Sequence, residues 1–387
     1  MKKRICVITG SRAEYGILRS LLKEIKKTPG LFLQIIATGS HLSRGFGFTY
    51  REIEEDGFFI NEKIRIVSSS DTAVAVSKSM GLAVIGFAKA FAKLKPDMIV
   101  VLGDRYEIFA AAGAACVARV PVAHIHGGER SEGAIDDSFR HAITKMSHLH
   151  FTAAEEYRKR VIQMGEHPSR VFNVGSLALD TIARMRFISK EKLEKQLGLT
   201  FSKPTFLVTY HPVTLEHNTS GRYFKTLLDA LDELKNVKCI FTYANADTNG
   251  RIINSMIEEY VAQKPEKAVA FPSLGQLRYL SAMKNVDAVV GNSSSGIIEA
   301  PSFKIGTINI GDRQKGRMKA PSVIDCKPTK ESISWAFNKL FSPDFQKSLG
   351  KLQNPYGSGG VAKKIIDILK KDLPFNGIKK EFFDISF

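Results

Sequence analysis

Met98-Ile-Val-Val-Leu-Gly-Asp-Arg-Tyr-Glu107 and, one helix later, Pro121-Val-Ala-His-Ile-His-Gly-Gly-Glu129 decide the fold. Each is a short apolar run that ends abruptly in glycine and charge. The Ala-rich segment between them, residues 108–120, reads as a helix. Strand, charged turn, helix, strand is the βαβ unit of a parallel sheet. Ligands of such sheets bind off the carboxyl ends of the strands. The two turns are therefore expected to deliver Asp104, Arg105 and Glu107, then His124, His126 and Glu129, to one rim. A second charged patch, Asp136-Asp137-Ser-Phe-Arg140-His141, follows closely. So many titratable groups together mark the expected seat of the chemistry.

The same rhythm extends in both directions. Upstream, residues 4–9 read as a buried strand that breaks into Gly10-Ser-Arg-Ala-Glu-Tyr-Gly16 before a helix at 17–27. A Gly-rich first βα turn can cradle phosphate on helix-start N–H groups. It is not G-x-G-x-x-G, so a dinucleotide cofactor is not signalled. Strands follow at 31–38 and 58–66, and a helix at 77–94 is stopped by Lys95-Pro96. Downstream come helices at 137–146 and 155–164, strands at 149–152 and 171–175, and a helix at 189–197. After Thr200-Phe-Ser-Lys-Pro204 the pattern restarts, with strands at 205–210, 237–242, 268–271, 287–291 and 306–310. Helices at 223–234, 251–263 and 276–283 separate them, and a last helix spans 361–371. Two successive βα runs predict an α/β protein of two doubly wound domains with a cleft between them. The expected division is 1–185, 186–360 and a C-terminal helix and tail at 361–387.

At 387 residues the chain exceeds one ordinary core, which agrees with two domains. Hydrophobic content of 44% and charged content of 25% are those of a globular protein. The net charge of +17 suits an anionic ligand. Lys and Arg are scattered, with no zinc-finger spacing, aromatic RNP-like run or basic stripe, so nucleic acid is not an expected partner. Cys6, Cys116, Cys239 and Cys326 lie far apart, which signals neither a zinc site nor a redox dithiol, and Cys6 and Cys239 sit in strand-like runs as buried thiols. The apolar run 5–8 is too short for a signal-peptide core, and no run of about 18 apolar residues stands out. The expectation is a cytoplasmic protein with no membrane partner and no metal.

Several signals have a plain alternative. Asn292-Ser-Ser-Ser-Gly296 can be a phosphate loop, its small residues letting N–H groups approach an anion, or an ordinary N-cap. Asp104 and Asp136 can form an acid/base pair across a sugar ring. Alternatively, Asp136-Asp137 starts a helix and Asp104 merely pairs with Arg105. His124 and His126 alternate along a strand, so one should face the core, and His126 beside Gly127-Gly128 is the better site candidate. His211, before Pro212, is a ligand donor or a strand-end histidine. Arg12, Arg105 and Arg313 each follow a strand end, and three arginines aimed at one rim would suit a pyrophosphate.

Taken together, these residues resemble the hydrolysing UDP-N-acetylglucosamine 2-epimerases of sialic acid and related nonulosonic acid biosynthesis. The resemblance rests on Ser11-Arg-Ala-Glu-Tyr15, Gly103-Asp-Arg-Tyr-Glu107, His124-Ile-His-Gly-Gly-Glu129, Ile135-Asp-Asp-Ser-Phe-Arg-His-Ala-Ile-Thr-Lys145, Gly291-Asn-Ser-Ser-Ser-Gly296 and Gly311-Asp-Arg-Gln-Lys-Gly-Arg317. It implies a GT-B-like fold of two Rossmann-like domains, UDP in the cleft and a C-terminal helix returning to the first domain. It also implies that Ser293 and Ser294, in the loop ending at Gly296, meet the pyrophosphate and that Glu299 meets the ribose. Arg313, His211 and Asn245 would add contacts from the second domain, and Arg12 and Arg105 from the first. Asp104, the residue at 126 and Asp136 align with the catalytic set. Some members carry Glu where this chain has His126; imidazole can still move a proton, and Glu129 can supply the carboxylate instead. His211 is counted with both the catalytic and the binding set.

The implied reaction expels UDP from C1, forms a glycal by loss of the C2 proton, and adds water with C2 inverted. UDP-N-acetylglucosamine would give UDP and N-acetylmannosamine, with no cofactor, in a homodimer or homotetramer. The rivals are the same reaction on a UDP-2,4-diacetamido-2,4,6-trideoxyhexose for legionaminic acid, the non-hydrolysing epimerase, a GT-B glycosyltransferase and a non-catalytic nucleotide-sugar sensor.

Overall fold

The computed structural model describes residues 2–66, 72–131, 135–213, 219–244, 250–372 and 378–385. The chain divides into two units. The first takes Met1–Glu129, Asp136–Ala183 and Tyr356–Phe387, and the second takes Arg130–Ile135 and Arg184–Pro355.

The first unit runs β1 (Lys3–Thr9), α1 (Arg12–Lys27), β2 (Leu31–Thr38), α2 (Tyr50–Glu55), β3 (Glu62–Ile64), α3 (Ala73–Leu94), β4 (Met98–Leu102) and α4 (Tyr106–Val117). It continues with β5 (Val122–Ile125), α5 (Asp136–Met146), β6 (Leu149–Thr152), α6 (Glu155–Gln163), β7 (Val171–Asn173) and α7 (Ala178–Arg184). The strands form one sheet in the order β3-β2-β1-β4-β5-β6-β7, every pairing parallel. All five residues of β4 are buried, as a strand covered on both faces requires. The order reverses between β1 and β4, where Val7 pairs with Val100. Gly10-Ser11 and Gly103-Asp104 leave the sheet at this switch point, the place where such folds bind ligands.

Alanine explains the layer beside β4. Ala is the best helix former and has no bulk beyond Cβ, so α4 buries Ala110, Ala111, Ala112, Ala114 and Ala115. Its neighbour α3 buries Ala75, Ala83, Phe87, Ala90 and Phe91 on one side and leaves Val74, Leu82 and Ile85 exposed on the other. By length and composition alone α3 could cross a membrane, although no such run stands out in the sequence. Here it is a flanking helix of the sheet, capped by Thr72 and ended by Lys95 in the left-handed region before Pro96.

The second unit runs α8 (Lys190–Leu197), β8 (Thr205–Thr209), α9 (Ser220–Asp232), β9 (Lys238–Thr242), α10 (Gly250–Gln263), β10 (Ala268–Phe271) and α11 (Gly275–Asn285). Then come β11 (Ala288–Gly291), α12 (Ser294–Ile298), β12 (Gly306–Ile310), β13 (Val323–Cys326), α13 (Lys330–Leu340) and α14 (Pro343–Leu349). Its parallel sheet has the order β10-β9-β8-β11-β12-β13, with a reversal between β8 and β11. The second switch point thus lies at His211 and Gly291-Asn292.

The last helix, α15 (Val361–Asp372), belongs to the first unit. Val361, Ala362, Ile365, Ile366 and Leu369 enter the core formed with Ile5, Val7 and Leu18. Burial of a residue such as Ile365 or Leu369 stabilises by about 1.5–3 kcal/mol. Asp180 of α7 is fully buried and caps α15, accepting from the N–H groups of Val361 and Ala362 at 2.7 Å each. A buried carboxylate is tolerable there because the helix start supplies donors and a favourable dipole.

Three expectations change. The helix at 17–27 begins at Arg12, because Ser11 is a working N-cap that accepts from Glu14 N at 3.3 Å. The open Gly10–Gly16 turn therefore shrinks to Gly10-Ser11, and Gly16 is a buried helical residue. The strand at 58–66 is reduced to β3, three residues at the sheet edge. Finally, α2, α7, β13, α13 and α14 are additional elements. The thiols of Cys6 and Cys239 are buried, as read.

Candidate active site

Chemistry in the first unit gathers around the exits of β4 and β5. Gly103 turns the chain with φ of 75° and hands Asp104 to the switch point. The partner of Asp104 is Arg140 of α5 and not its neighbour Arg105. Arg140 is 1% exposed. A guanidinium so buried must be paired and hydrogen-bonded. It donates to the Glu129 carbonyl at 2.9 Å and lies 3.6 Å from the Asp137 carboxylate. One side chain thereby ties together the β4 exit, the β5 exit and the start of α5. Asp137 also lies 3.4 Å from His141, one helical turn on. Asp136 is the first residue of α5 and half-buried, so the helix-start reading of the pair describes its backbone position.

The two histidines separate in role, although both are buried. His124 is a core residue: Nε2 is 2.7 Å from the Gly103 carbonyl and Nδ1 is 3.2 Å from Thr144 Oγ1. Burial pushes its pKa down to about 3, so the ring is neutral. His126, 7% exposed, has φ of 65°. That left-handed conformation costs a non-glycine residue about 1–3 kcal/mol and is characteristic of functional sites. Its Nε2 faces the Leu177 N–H at 3.4 Å and Ser176 Oγ at 3.5 Å. An N–H donor on Nε2 leaves the ring proton on Nδ1, which is 3.5 Å from Glu129 Oε1. His126 and Glu129 therefore stand within ion-pair distance, without a hydrogen bond between these two atoms.

Of the remaining residues of this unit, Glu107 is displaced from its expected place, whereas Arg12 stays at the strand exit where it is expected. Glu107 is not at the rim: it is fully buried on α4 and accepts from Arg105 Nε at 2.8 Å. Arg12 opens α1 and pairs with Glu52 of α2 at 3.1 Å. Glu14 accepts from Gly10 N–H at 2.7 Å. Burial, and then the charge of Glu107, push its pKa up to about 8.

The second unit builds its switch point mainly from amides and hydroxyls, with one guanidinium, that of Arg313. Gly291, at φ of 129°, admits no side chain, since a Cβ there would lie 2.0 Å from the Thr209 carbonyl. Asn292 is fully buried and reads both backbone groups of His211: Oδ1 accepts from His211 N at 2.7 Å, and Nδ2 donates to His211 O at 2.8 Å. The carbonyl of Asn292 accepts from Gln314 Nε2 at 2.8 Å and from Arg313 Nη1 at 3.3 Å. Three loops, after β8, β11 and β12, are thus laced at one residue, through the side chain and the backbone carbonyl of Asn292. Ser293 is the N-cap of α12 and accepts from Ser295 N at 3.3 Å. Ser294 is the first residue of α12. Ser295 donates to Glu299, whose pKa burial pushes up to about 7. Burial, and then the charge of Glu299, push the pKa of the Tyr279 hydroxyl up to about 12. Gly296 is a packing requirement: a Cβ would meet Thr307 Cγ2 at 2.7 Å, and Thr307 Oγ1 donates to its carbonyl at 2.7 Å.

Arg12 and Arg105 belong to the first unit and Arg313 to the second, so the three arginines do not share the exits of one sheet. Asp104, His126, Glu129 and Asp136 all lie in the first unit, and His211 in the second. Asn245 lies outside the described residues. Among the described residues, no three His, Cys, Asp or Glu side chains are grouped to hold a metal. Tyr279 carries no sequence signal of its own, whereas Asn292, Gln314 and Arg140 each sit inside a quoted motif without being singled out.

The profile of UDP-N-acetylglucosamine 2-epimerase matches residues 23–370. A GDP/UDP-N,N'-diacetylbacillosamine 2-epimerase (hydrolyzing) from Campylobacter jejuni is 47% identical over 385 residues, which is 99% of this chain and 100% of that protein. The polysialic acid biosynthesis protein P7 of Escherichia coli is 39% identical over 99% of this chain and 98% of its own. Among solved structures, a UDP-GlcNAc 2-epimerase from Neisseria meningitidis bound to UDP-GlcNAc superposes with a TM-score of 0.81 at 17% identity, covering 95% of this chain and all of that one. That likeness carries the fold, two parallel α/β units of GT-B-like type. With its strand orders, its charged β4 and β5 exits and its full-length relatives, this chain belongs to the hydrolysing UDP-sugar 2-epimerase family.

Proposed function

We propose that the chain cleaves a UDP-linked 2-acetamido sugar with inversion at C2 and release of UDP. The observation that carries this reading is the set of acid/base groups at the β4 and β5 exits, Asp104 on Arg140 and His126 on Glu129. The C2 proton of such a sugar is not beside a carbonyl, so it becomes removable only as the C1–O bond to the diphosphate breaks. The electron pair of that bond leaves with UDP, a carboxylate or imidazole takes the C2 proton, and C1=C2 forms. Water then adds its oxygen to C1, and an acid protonates C2 on the opposite face. Asp104, His126, Glu129 and Asp136 supply these proton transfers.

The neutral lock of the second unit suits the leaving group. Ser293, Ser294, His211 and Arg313 would meet the diphosphate, and Glu299 the ribose. Donors fixed before the reaction stabilise developing charge most effectively. Arg12 and Arg105 would add positive charge to it.

For the sugar, the 47% relative supports a 2,4-diacetamido-2,4,6-trideoxyhexose, UDP-N,N'-diacetylbacillosamine. The family description, UDP-N-acetylglucosamine 2-epimerase, supports UDP-N-acetylglucosamine giving N-acetylmannosamine as the second candidate. The 47% identity moves the diacetamido sugar to first place, reversing the order expected from the sequence. A cytoplasmic homodimer or homotetramer completes the reading, and the outward Val74, Leu82 and Ile85 of α3 favour self-association.

The test is an NMR time course in D₂O with each UDP-sugar. UDP and a free C2-epimer deuterated at C2 are the expected products, with the faster substrate identifying the physiological class. Intact UDP-linked epimer would mean the non-hydrolysing reaction. Tight UDP-sugar binding without turnover of either would make the chain a nucleotide-sugar-binding protein.

A further inference from the structure

Two carboxyl groups lie stacked beneath the first-unit switch point. Glu107 is fully buried on α4, and its Oε1 grips Arg105 through Nε at 2.8 Å. Glu14 rises from α1 and binds Gly10 N–H at 2.7 Å. Gly10 is wedged between them: a Cβ at residue 10 would lie 2.4 Å from Glu107 Oε1, and one at Gly39 would lie 3.0 Å from the same oxygen. Both turns are thus glycine partly to admit the Glu107 side chain. Each carboxyl also keeps one buried oxygen, Glu14 Oε1 and Glu107 Oε2, with no hydrogen-bond partner among the described residues.

Stability alone does not call for this arrangement, because apolar packing generally does at least as well as a buried ion pair. Orphaned buried oxygens make it less favourable still. What the arrangement does supply is orientation. Holding an arginine by Nε, rather than by a terminal nitrogen, fixes the plane of the guanidinium. We infer that Glu107 is the positioning residue that aims Arg105 from the β4 exit at the charge developing on the leaving diphosphate. The inference rests on the UDP-releasing reaction proposed above.

Glu14 completes the device by staying neutral. With its pKa raised to about 8 by burial and the Glu107 charge, it carries a proton at neutral pH and leaves Arg105 to Glu107. The charged groups that face Glu14 are Glu107 on α4 and Arg105 after β4. The turn after β2 brings His41 to the Gly10 carbonyl, and burial keeps that imidazole neutral with a pKa of about 4. Once ionised, Glu14 would compete with Glu107 for the guanidinium.

The test is a double-mutant cycle on kcat/KM for UDP release, using Glu107→Gln, Arg105→Ala and the double variant. We expect about 30-fold loss for Glu107→Gln, about 100-fold for Arg105→Ala, and no further loss in the double variant. Multiplicative losses, on the order of 3,000-fold in the double variant, would overturn the inference. Should Glu107→Gln fail to fold, Glu14→Gln decides, since it replaces a carboxyl that is already neutral at pH 7. It should move the alkaline fall of kcat/KM upward by at least about one pH unit, and an unchanged profile would overturn the inference. Absence of UDP release by the wild-type chain from either sugar would remove the underlying reaction as well. Release with an unaltered Arg105–Glu107 independence would remove the positioning role alone.

Discussion

The two units wind their sheets in the same order and reverse them at equivalent places, yet they fill those places with opposite chemistry. At the β4 and β5 exits stand ionisable groups: Asp104 on Arg140, Glu107 on Arg105, His126 beside Glu129. Between β8 and β11 stand amides and hydroxyls, with Asn292 clamped on the backbone of His211 and Ser293 capping α12. Charged pairs can exchange protons with a substrate. A backbone locked by neutral groups cannot, but it presents fixed donors at no reorganisation cost. One topology thus supports two divisions of labour, and the difference resides in a few side chains after the strand ends.

The contrast breaks most sharply at Asp104. Asp104→Asn keeps shape and a hydrogen bond to Arg140 but removes the exchangeable charge. We expect kcat to fall by about 10²–10⁴, as for loss of a general acid or base, while UDP affinity by calorimetry stays within a few-fold. A collapse of UDP affinity would show that Asp104 serves nucleotide binding and not proton transfer.

That charged cluster was largely visible in the sequence, but its wiring was not. Apolar runs cut off by glycine placed β4 and β5 to within a residue, and the charges after them marked the region of interest. The nearest cation to Asp104 in sequence is Arg105, whereas the partner in space is Arg140, reached only when α5 docks behind β5. Long-range pairing of this kind leaves no periodic trace. Glu107 was read as a rim residue for the same reason: its place on α4 points it beneath Gly10 and Gly39. The neutral cluster was less legible, because a buried Asn or Gln looks like any loop amide until its partners are known. Among the added elements, α13 did carry a readable helical period in Ile333, Ala336, Phe337 and Leu340, with Thr329 as its cap. By contrast, α7 is short, and its buried Asp180 belongs to no apolar stripe.

Asn292 sharpens the comparison from the neutral side. Asn292→Ala leaves both backbone groups of His211 without their partner in a buried setting. Each such loss costs about 1–3 kcal/mol, so thermal or denaturant unfolding should show a destabilisation of roughly 2–4 kcal/mol. Asn292→Asp keeps the acceptor for His211 N and loses the donor to His211 O, and should cost less than Ala unless the buried charge itself dominates. Equal stability of wild type and Asn292→Ala would show that His211 is held by other means.

The smallest effect concerns the one strongly perturbed acid in the neutral cluster. Burial raises the Glu299 pKa from the usual 4.5 to about 7, so the folded chain holds this proton more tightly than the unfolded chain does. The sign follows from linkage: the contribution of Glu299 to stability is fully present below about pH 4.5 and is lost as pH rises through 7. Glu299→Gln cannot ionise, and its side chain still accepts from Ser295. The stability of the wild type relative to this variant should therefore decline between pH 4.5 and 7, by on the order of 1–2 kcal/mol after allowance for partial solvation. Parallel stability curves for the two proteins would mean that Glu299 is already ionised throughout this range, and the second switch point would then contain a standing charge like the first.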